Sequence, residues 1–529
     1  MTTQQYGMKK YMRGALLLTM AALLVKMLSA VYRVPFQNLV GDEGFYVYQQ
    51  VYPFISFFVV WTSGGFAVAI SKMLADTAEV NIRRAISKVV FSYLTVLSIL
   101  FFSLLFFGAQ TLALWMGDIQ LAPLLQTGAF VALCMPTLAL LKGSFQAKGV
   151  MEPVAYAQVF EQLVRVLVIL GGTVVVMQTS KSIYAAGNMA VLGAVVGEIA
   201  GIVLLLFYMR KQLNGTRHFV KINAWPIIKD VTLFSLSVSL SSLMLLGFQL
   251  VDSFTVYKTL LDLGIPTERA MAQKGIYDRG QPLVQLGVVI ASSLSLAIVP
   301  LIAQKIKTAG RGAIPFVQLT YRTALLFGTA AALGLVITMP YVNELLFTST
   351  DLSNVLMVVV VQIIPFSLIL TFTAILQGYG KLKIPALIVI AGFAVKWLSN
   401  IWLLPTIGII GAALASNFGL FLSAIFLMLY VKRIVKVSLA PTAFYKTLAV
   451  ASVAMIVAVE VGSFVCRILF SMIDGRMQAA MMSAVLIAVG ATTFITIVAK
   501  SRVLKEKEWF LIPFGRRMAL YQLWLNKRK

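Results

Sequence analysis

The sequence predicts an all-α integral membrane protein with about fourteen transmembrane helices. Of its 529 residues, 60% are hydrophobic and 12% are charged, whereas a soluble protein of this length carries about twice that charged fraction. The apolar residues also form blocks of about 20 residues or more, the length that a helix needs to cross a bilayer. These blocks are far too long for barrel strands, and only helices or closed barrels satisfy their backbone groups in lipid.

Composition excludes several classes of function. A net charge of +25 suggests nucleic acid in a soluble protein, but here the basic residues lie between apolar blocks, so we expect no nucleic acid partner. One histidine, and two cysteines within apolar blocks, predict no metal site and no disulfide framework. The sequence has no G-x-x-x-x-G-K-[ST] motif and no Ser-His-Asp set. We therefore expect no cofactor, no direct use of ATP and no enzyme activity.

Fourteen apolar blocks define the predicted spans. The first follows Lys9, Lys10 and Arg13 and lacks an A-x-A-like cleavage site, so we interpret it as a helix and not as a signal peptide. The basic, partly amphipathic tail is predicted to lie at the membrane surface. The approximate bounds of the spans are 14–32, 45–72, 88–116, 121–141, 154–177, 184–209, 227–250, 279–304, 322–347, 352–378, 384–404, 407–431, 446–471 and 477–499.

The distribution of basic residues predicts the orientation. Most of the 44 lysines and arginines lie in segments that are cytoplasmic if the N-terminus is cytoplasmic, and the asymmetry persists from loop to loop. Short loops rich in lysine and arginine stay in the cytoplasm. We therefore predict a multi-pass protein with both termini cytoplasmic, and we count Lys142 and Lys148 among the residues of a cytoplasmic loop.

An internal repeat predicts two lobes. The pattern Gly-Ala-x6-Gly that begins at Gly193 in span six recurs from Gly411 in span twelve, and each run ends in a basic segment. Small residues are common in membrane helices for packing reasons alone, but the shared order and spacing favour two parallel repeats of six helices around a central cavity. The predicted organisation is a cytoplasmic N-terminus (1–13), an N-lobe of spans one to six (14–209), a basic cytoplasmic linker (210–226), a C-lobe of spans seven to twelve (227–431), two further helices (446–499) and a cytoplasmic tail (500–529).

Ionisable residues inside spans are the candidate binding residues, because they are costly in lipid and should face a cavity or each other. Lys26 lies in span one, Asp252 closes span seven, and Asp278 and Arg279 open span eight. Basic groups from spans one and eight suit an anionic substrate such as a phosphate or diphosphate. The alternative interpretations are snorkelling of Lys26 to the interface and an interfacial salt bridge for the acidic–basic pair.

A second group of polar residues favours a structural interpretation. Glu161 and Arg165 stand four residues apart on one helical face, which predicts an ion pair. For the lone acids of spans six and thirteen, bonds between helices are at least as plausible as a functional role. The complete set of these intramembrane polar residues is Gln158, Glu161, Arg165, Glu198, Lys396, Asn400 and Glu460.

Two stretches resemble a known family. Residues 39–76, LVGDEGFYVYQQVYPFISFFVVWTSGGFAVAISKMLAD, and residues 142–166, KGSFQAKGVMEPVAYAQVFEQLVRV, resemble the stage V sporulation protein B family. That family is the polysaccharide-transporter branch of the multidrug/oligosaccharidyl-lipid/polysaccharide (MOP) flippase superfamily, and the lipid II flippase of peptidoglycan synthesis belongs to a sister group. The resemblance implies fourteen helices, two lobes around a V-shaped central cavity, and a location in the bacterial cytoplasmic membrane.

The resemblance also implies residue roles. Lys26 matches a cationic residue late in span one of the lipid II flippase, and Asp278-Arg279 matches an Asp-Arg pair that opens its span eight. Other cavity arginines of that flippase have no clear counterpart here, where the aligned region has Tyr32 beside Arg33. Some relatives place a sodium site on spans seven, eleven and twelve. The ammonium group of Lys396 could occupy such a site, so we predict weak sodium dependence.

The leading hypothesis is a flippase for a polyprenyl-diphosphate-linked saccharide. Arg279 and Lys26 would bind the diphosphate with help from Arg33, while Asp278 would orient Arg279 and Asp252 would balance the charge. The partners are then this lipid-linked substrate, the bilayer and possible contacts with envelope-synthesis enzymes. Two alternatives stay open: a cation-coupled drug or metabolite antiporter of the same superfamily, and a non-transporting membrane scaffold for envelope synthesis.

Overall fold

The computed structural model describes residues 3–179, 182–210, 222–289, 302, 310–381, 383–473, 475–510 and 515–527. Every regular element in these ranges is a helix. Eleven of the helices, or up to twelve if a bent pair is counted as one span, are long and apolar enough to cross a membrane within the part of the chain described. The all-α membrane class is therefore confirmed. The number fourteen stays a prediction, because span eight lies largely outside the described residues.

Ten α-helices lie in the described residues of the first half of the chain. A π-helix at Trp61–Phe66 joins the second and third of them, and a short 3-10 turn at Ile119–Leu121 precedes the sixth. The α-helices are α1 (Thr3–Val31), α2 (Arg33–Val60), α3 (Ala67–Ala75), α4 (Val80–Phe107), α5 (Ala109–Trp115), α6 (Ala122–Ala147), α7 (Glu152–Thr179), α8 (Ile183–Arg210), α9 (Ala224–Asp262) and α10 (Thr267–Gly287).

Nine more α-helices lie in the described residues of the second half. The predicted span 352–378 is divided into two of them by a break after Val360. The α-helices are α11 (Ile314–Phe347), α12 (Ser353–Val360), α13 (Ile363–Gly378), α14 (Lys383–Ile407), α15 (Ile409–Val435), α16 (Thr442–Leu469), α17 (Gly475–Ser501), α18 (Glu506–Trp509) and α19 (Gly515–Lys527).

Two predicted helix ends are wrong. Asp252 does not close a helix, because α9 continues to Asp262. Asp278 and Arg279 do not open one, because α10 begins at Thr267. In both places the polar residues are buried inside the protein. A helix can therefore include them and extend beyond the apolar block from which its end was predicted. Most of the predicted linker, residues 211–221, lies outside the described residues.

The chain packs as two compact units, residues 1–278 and residues 279–529. Helix α9 belongs to the first unit because it is hydrogen-bonded to α2 and the π-helix. Gln50 Nε2 donates to the carbonyl oxygen of Ser253 over 3.0 Å, and Trp61 Nε1 donates to Ser235 Oγ over 3.1 Å. The N-lobe and C-lobe bounds predicted from the repeat, 14–209 and 227–431, stay a prediction.

A glycine breaks the course of α2. Gly41 has a φ of 72° and a ψ of −174°, a conformation that costs a glycine little because it has no Cβ. The carbonyl group that follows, on Asp42, meets helix α10 at Gly275, where a Cβ would lie only 2.0 Å from the carbonyl oxygen. Backbone therefore packs directly against backbone at this contact.

Close packing of apolar side chains holds each unit together. In the first unit, buried residues of α3, α4 and α6 form one cluster that includes Ile70, Leu94 and Met135. In the second unit, the rings of Tyr321 on α11 and Phe372 on α13 stack with centroids 5.8 Å apart. Because lipid tails are as apolar as these side chains, van der Waals packing and interhelical hydrogen bonds stabilise such contacts more than the hydrophobic effect does.

The C-terminal tail packs against other helices of the second unit. Trp509 Nε1 of α18 donates to Gln522 Oε1 of α19 over 2.7 Å, and the hydroxyls of Tyr521 and Thr496 lie 2.8 Å apart. Arg322 of α11 forms a salt bridge with Glu508. One edge of the tail helix is thus attached to α17, and its location at the membrane surface stays a prediction.

Candidate functional site

A buried ion pair joins α6 to α7. The Nζ of Lys142 lies 2.8 Å from Oε1 of Glu161 and donates to its Oε2 over 2.9 Å. The same ammonium group donates to Ser63 Oγ over 2.9 Å. The side chain of Lys142 is fully buried. The prediction that Lys142 lies in a cytoplasmic loop is therefore wrong, because α6 continues to Ala147.

A second ion pair joins α7 to α8. Arg165 donates from NH2 to Glu198 Oε1 over 2.9 Å. The two residues predicted to pair within α7, Glu161 and Arg165, thus each have a salt-bridge partner on a neighbouring helix. Glu198 makes the bond between helices that its position suggested. Gln158 lies half-buried on the same helix as Glu161 and Arg165.

Arg33 is a fully buried cation beside a group of tyrosines. Its guanidinium carbon lies 4.3 Å from the centre of the Tyr52 ring. The hydroxyls of Tyr32 and Tyr48 lie 2.7 Å apart. None of the three guanidinium nitrogens has a hydrogen-bond acceptor among the residues that the structure describes. A cation–π contact and burial therefore define the setting of Arg33 in α2.

Lys26 differs from Arg33 in its setting. Its side chain is exposed on α1, while that of Arg33 is 0% exposed. Among the described residues, Lys26 and Arg33 have no hydrogen-bond partner in common. Of the two cations, Lys26 therefore has the more exposed side chain.

Two buried carboxylates lie on α9 and α10. Asp252 accepts a hydrogen bond from the Tyr277 hydroxyl over 2.9 Å. Asp278 accepts from the ammonium group of Lys274, over 2.7 Å at Oδ1 and 2.6 Å at Oδ2. Sequence reasoning missed Lys274, although its spacing of four residues from Asp278 is the spacing of an ion pair on one helical face.

Arg279 is buried in the second unit. It donates from NH1 to Asn343 Oδ1 over 3.1 Å, and its guanidinium carbon lies 5.1 Å from the ring centre of Phe347. The amide nitrogen of Asn343 is itself held by the carbonyl of Asp351 and the hydroxyl of Ser353, over 3.1 and 3.0 Å. The amide oxygen is therefore oriented toward the guanidinium group. Sequence reasoning did not identify Asn343, because nothing local marks an asparagine near a helix end as the partner of a distant arginine.

The remaining predicted residues have different settings. Lys396 and Asn400 are both buried on α14, as expected for polar groups that face other helices. Glu460 is exposed on α16. Within the described part of the chain, its carboxylate takes part in no hydrogen bond or salt bridge.

The long apolar helices, together with basic and acidic groups buried among them, define a polytopic α-helical membrane protein. Comparison with known proteins identifies the family of membrane proteins to which the chain belongs. Residues 11–305 match the family described as polysaccharide biosynthesis protein. The chain is also 40% identical over 417 residues to the uncharacterized membrane protein YabM of Bacillus subtilis, a match that covers 78% of each chain. The chain belongs to the polysaccharide biosynthesis protein family.

Two further relatives from Bacillus subtilis are similar over almost their whole length. The lipid II flippase MurJ is 25% identical over 527 residues, with 92% of this chain and 94% of that protein covered. Stage V sporulation protein B is 26% identical over 528 residues, with 96% and 99% covered. The family resemblance inferred from residues 39–76 and 142–166 is thereby confirmed.

The fold is also that of a solved transporter. A structure of the lipid II flippase MurJ in an inward closed conformation matches with a TM-score of 0.67 and 12% identity, and the match covers 92% of this chain and 98% of that one. At this identity the similarity concerns the fold alone. It confirms the all-α membrane fold class that the sequence predicted.

Proposed function

We propose that the protein moves a polyprenyl-diphosphate-linked saccharide across the cytoplasmic membrane by alternating access. The observation that carries the proposal is the similarity to the lipid II flippase MurJ over 92% of this chain. Stage V sporulation protein B is similar over 96% of it, and the match of residues 11–305 to the family described as polysaccharide biosynthesis protein supports a substrate that contains a saccharide. The family and fold are those of transporters, which agrees with the expectation that the protein is not an enzyme.

Arg279 is the main binding group for the diphosphate. A guanidinium group forms charge-assisted and often bidentate hydrogen bonds with phosphate oxygens. Asn343 engages NH1 of Arg279 and sets the direction of the guanidinium plane. Lys26, whose side chain is exposed, supplies a second cation, and Arg33 assists when helix movement uncovers it.

The acidic residues limit the positive charge near these groups. Asp278 holds the ammonium group of Lys274, so it neutralises that lysine in addition to the predicted role beside Arg279. Asp252 is held by Tyr277. Under this proposal, the basic groups attract the anionic head group, and the carboxylates offset part of the positive charge so that the head group can leave again.

The membrane potential favours the proposed direction of transport. With both termini in the cytoplasm, an anionic head group that moves outward leaves a negative interior, so an inside-negative potential favours its export by about 2.3 kcal/mol per charge per 100 mV. Lys396, a cation buried on α14, disfavours a sodium ion at the same place. Transport that increased with the sodium gradient at constant potential would contradict this part of the proposal.

Native mass spectrometry tests the role of Arg279. The purified protein is mixed with undecaprenyl-diphosphate saccharides, and wild type is compared with Arg279→Ala and with the control Arg269→Ala. Arg269 lies on the same helix but is exposed. Loss of one charge-assisted contact, about 1.5–3 kcal/mol, should weaken binding by about tenfold or more in the first variant only.

The result has two clear interpretations. Weakened binding in Arg279→Ala, with unchanged binding in Arg269→Ala, supports the diphosphate site. Equal binding in all three folded proteins would shift the weight to a cation-coupled antiporter or to a scaffold. Acidic side chains that face a drug-binding cavity would favour the antiporter, whereas the residues proposed here for the substrate are mainly basic.

A further inference from the structure

A cavity of about 590 Å³ opens among α11, α16 and α17 in the second unit. Its lining combines apolar and charged side chains, which is unusual for a surface formed by membrane helices. The polar part consists of Tyr341, Glu460, Ser463, Arg467 and Gln478. None of these residues belongs to the proposed substrate site, so the cavity needs an explanation of its own.

Glu460 is a carboxylate that lies beside outward-facing apolar side chains of α16. Its neighbours Val457, Val461 and Phe464 are 56%, 59% and 70% exposed, so this part of α16 presents apolar side chains outward, as a lipid-facing helix does. An ionisable group within a membrane helix is costly unless it has a partner. No salt bridge in the described part of the chain supplies one for Glu460, which leaves its carboxylate available to a ligand in the cavity.

Arg467 lies on the same face as Glu460, seven residues nearer the end of α16 and therefore about 10 Å along the helix axis. Its Nε donates to the Tyr341 hydroxyl over 3.0 Å, and that hydroxyl lies 3.2 Å from Ser463 Oγ. These bonds fix the base of the guanidinium group. Its two terminal nitrogens have no hydrogen-bond partner among the described residues, so they too are available to a ligand.

We propose that this cavity binds the head group of an aminophospholipid. The lipid ammonium lies against Glu460, and the lipid phosphate lies against the terminal nitrogens of Arg467. Both contacts are charge-assisted hydrogen bonds. A zwitterionic head group suits this pair, because Glu460 and the terminal nitrogens of Arg467 carry opposite charges, line one cavity and lie about 10 Å apart along one helix.

Other lipids fit the lining less well. An anionic lipid such as phosphatidylglycerol satisfies Arg467 but is repelled by Glu460. Phosphatidylcholine carries a cation without N–H groups, so it cannot donate hydrogen bonds to the carboxylate. The order of affinity that follows is phosphatidylethanolamine above phosphatidylcholine, with phosphatidylglycerol lowest.

Native mass spectrometry with three lipids of identical acyl chains tests the proposal. The full chain, released from detergent, is titrated with phosphatidylethanolamine, phosphatidylcholine and phosphatidylglycerol. Wild type should bind phosphatidylethanolamine about tenfold more tightly than phosphatidylcholine, as one charge-assisted hydrogen bond implies. Glu460→Gln should make the two affinities nearly equal. Arg467→Gln should weaken both by about tenfold and leave their ratio unchanged.

Two further variants complete the design. Lys446→Gln removes an exposed charge near the opposite end of α16 and should leave every affinity as in wild type. Tyr341→Phe keeps the ring but removes the hydroxyl that positions Arg467, and should weaken both zwitterionic lipids by a smaller factor than Arg467→Gln does. Equal binding of the three lipids by wild type, or a retained preference for phosphatidylethanolamine in folded Glu460→Gln, would overturn the proposal. Because the site uses none of the diphosphate-binding residues, its failure and that of the proposed function are separate results.

Discussion

Lys142 and Glu161 form a salt bridge of 2.8 Å between two membrane helices, with side chains that are 0% and 8% exposed. Charges so deeply buried are stable only when their partners are present. Ser63 Oγ accepts a further hydrogen bond from the same ammonium group. The pair therefore connects α6 and α7 to the π-helix that continues α2.

Removing one member of this pair should be strongly destabilising. Lys142→Ala leaves the Glu161 carboxylate buried without its cation, which costs about 3–5 kcal/mol of unfolding free energy. The double variant Lys142→Met with Glu161→Gln removes both charges and should recover much of that loss. Thermal unfolding in one detergent measures both. A double variant less stable than Lys142→Ala would contradict this account.

A double-mutant cycle should separate the observed pairs from the pair expected within α7. Arg165 and Glu198 form a salt bridge, so Arg165→Ala and Glu198→Ala should show a coupling energy of about 0.5–3 kcal/mol. The corresponding cycle for Glu161 and Arg165 serves as the comparison and should give a smaller value. The opposite order would favour the pairing predicted from spacing.

Two adjacent glycines should respond differently to alanine. A Cβ on Gly65 would lie 2.3 Å from Ser239 Oγ and 3.0 Å from the Ser235 carbonyl oxygen, whereas a Cβ on Gly64 meets nothing within 4 Å. Gly65→Ala should therefore push α9 away and cost about 1–3 kcal/mol. Gly64→Ala should be neutral or slightly stabilising, since alanine favours a helix. Thermal unfolding of the two variants gives the comparison, and equal midpoints would contradict it.

Asn343 should act on the substrate through Arg279. Its Oδ1 accepts from NH1 of the guanidinium, so Asn343→Ala frees the arginine to change direction. Binding of the undecaprenyl-diphosphate saccharide should weaken, by less than in Arg279→Ala. Asn354→Ala, a change to a nearby asparagine that has no contact with Arg279, is the control. A loss in the control equal to that in Asn343→Ala would show a general structural effect instead.

The C-terminal tail should detach when one carboxylate is neutralised. Glu508 forms a salt bridge with Arg322 and accepts the backbone N–H of Lys505 over 2.7 Å. Glu508→Gln should expose the tail to limited proteolysis more quickly than wild type. Glu506→Gln, an exposed change in the same short helix, is the matched control. Identical digestion rates in wild type and Glu508→Gln would show that other contacts hold the tail.

The class of the protein and the positions of most spans could be predicted because they depend on local properties. The length of an apolar block and the charge of a short loop are both visible in sequence. The ends of the helices were harder to predict from the sequence. Lys142 was predicted to lie in a loop and Lys274 was not identified. Each is buried beside a carboxylate, and a paired charge can continue a helix as an apolar residue does.

The pairing of the polar groups depends on which helices lie side by side. Glu161 pairs with Lys142 of α6 instead of with Arg165, and α8 approaches it closely through a glycine. A Cβ on Gly201 would lie 2.1 Å from Oε1 of Glu161. Arg279 contacts Asn343 across 64 residues of sequence. Neither relationship leaves a mark within a single helix, so neither could be predicted.

The contact between Gly275 and the carbonyl of Asp42 has a consequence for how the chain can vary. No side chain takes part in this contact. The residues around it can therefore be substituted without altering the distance between α2 and α10. A single added methyl group at 275 would change that distance at once. Natural variants should therefore differ widely in the neighbouring side chains, while position 275 tolerates only glycine. The placement of Lys274 and Asp278 thus depends on the absence of a Cβ at Gly275.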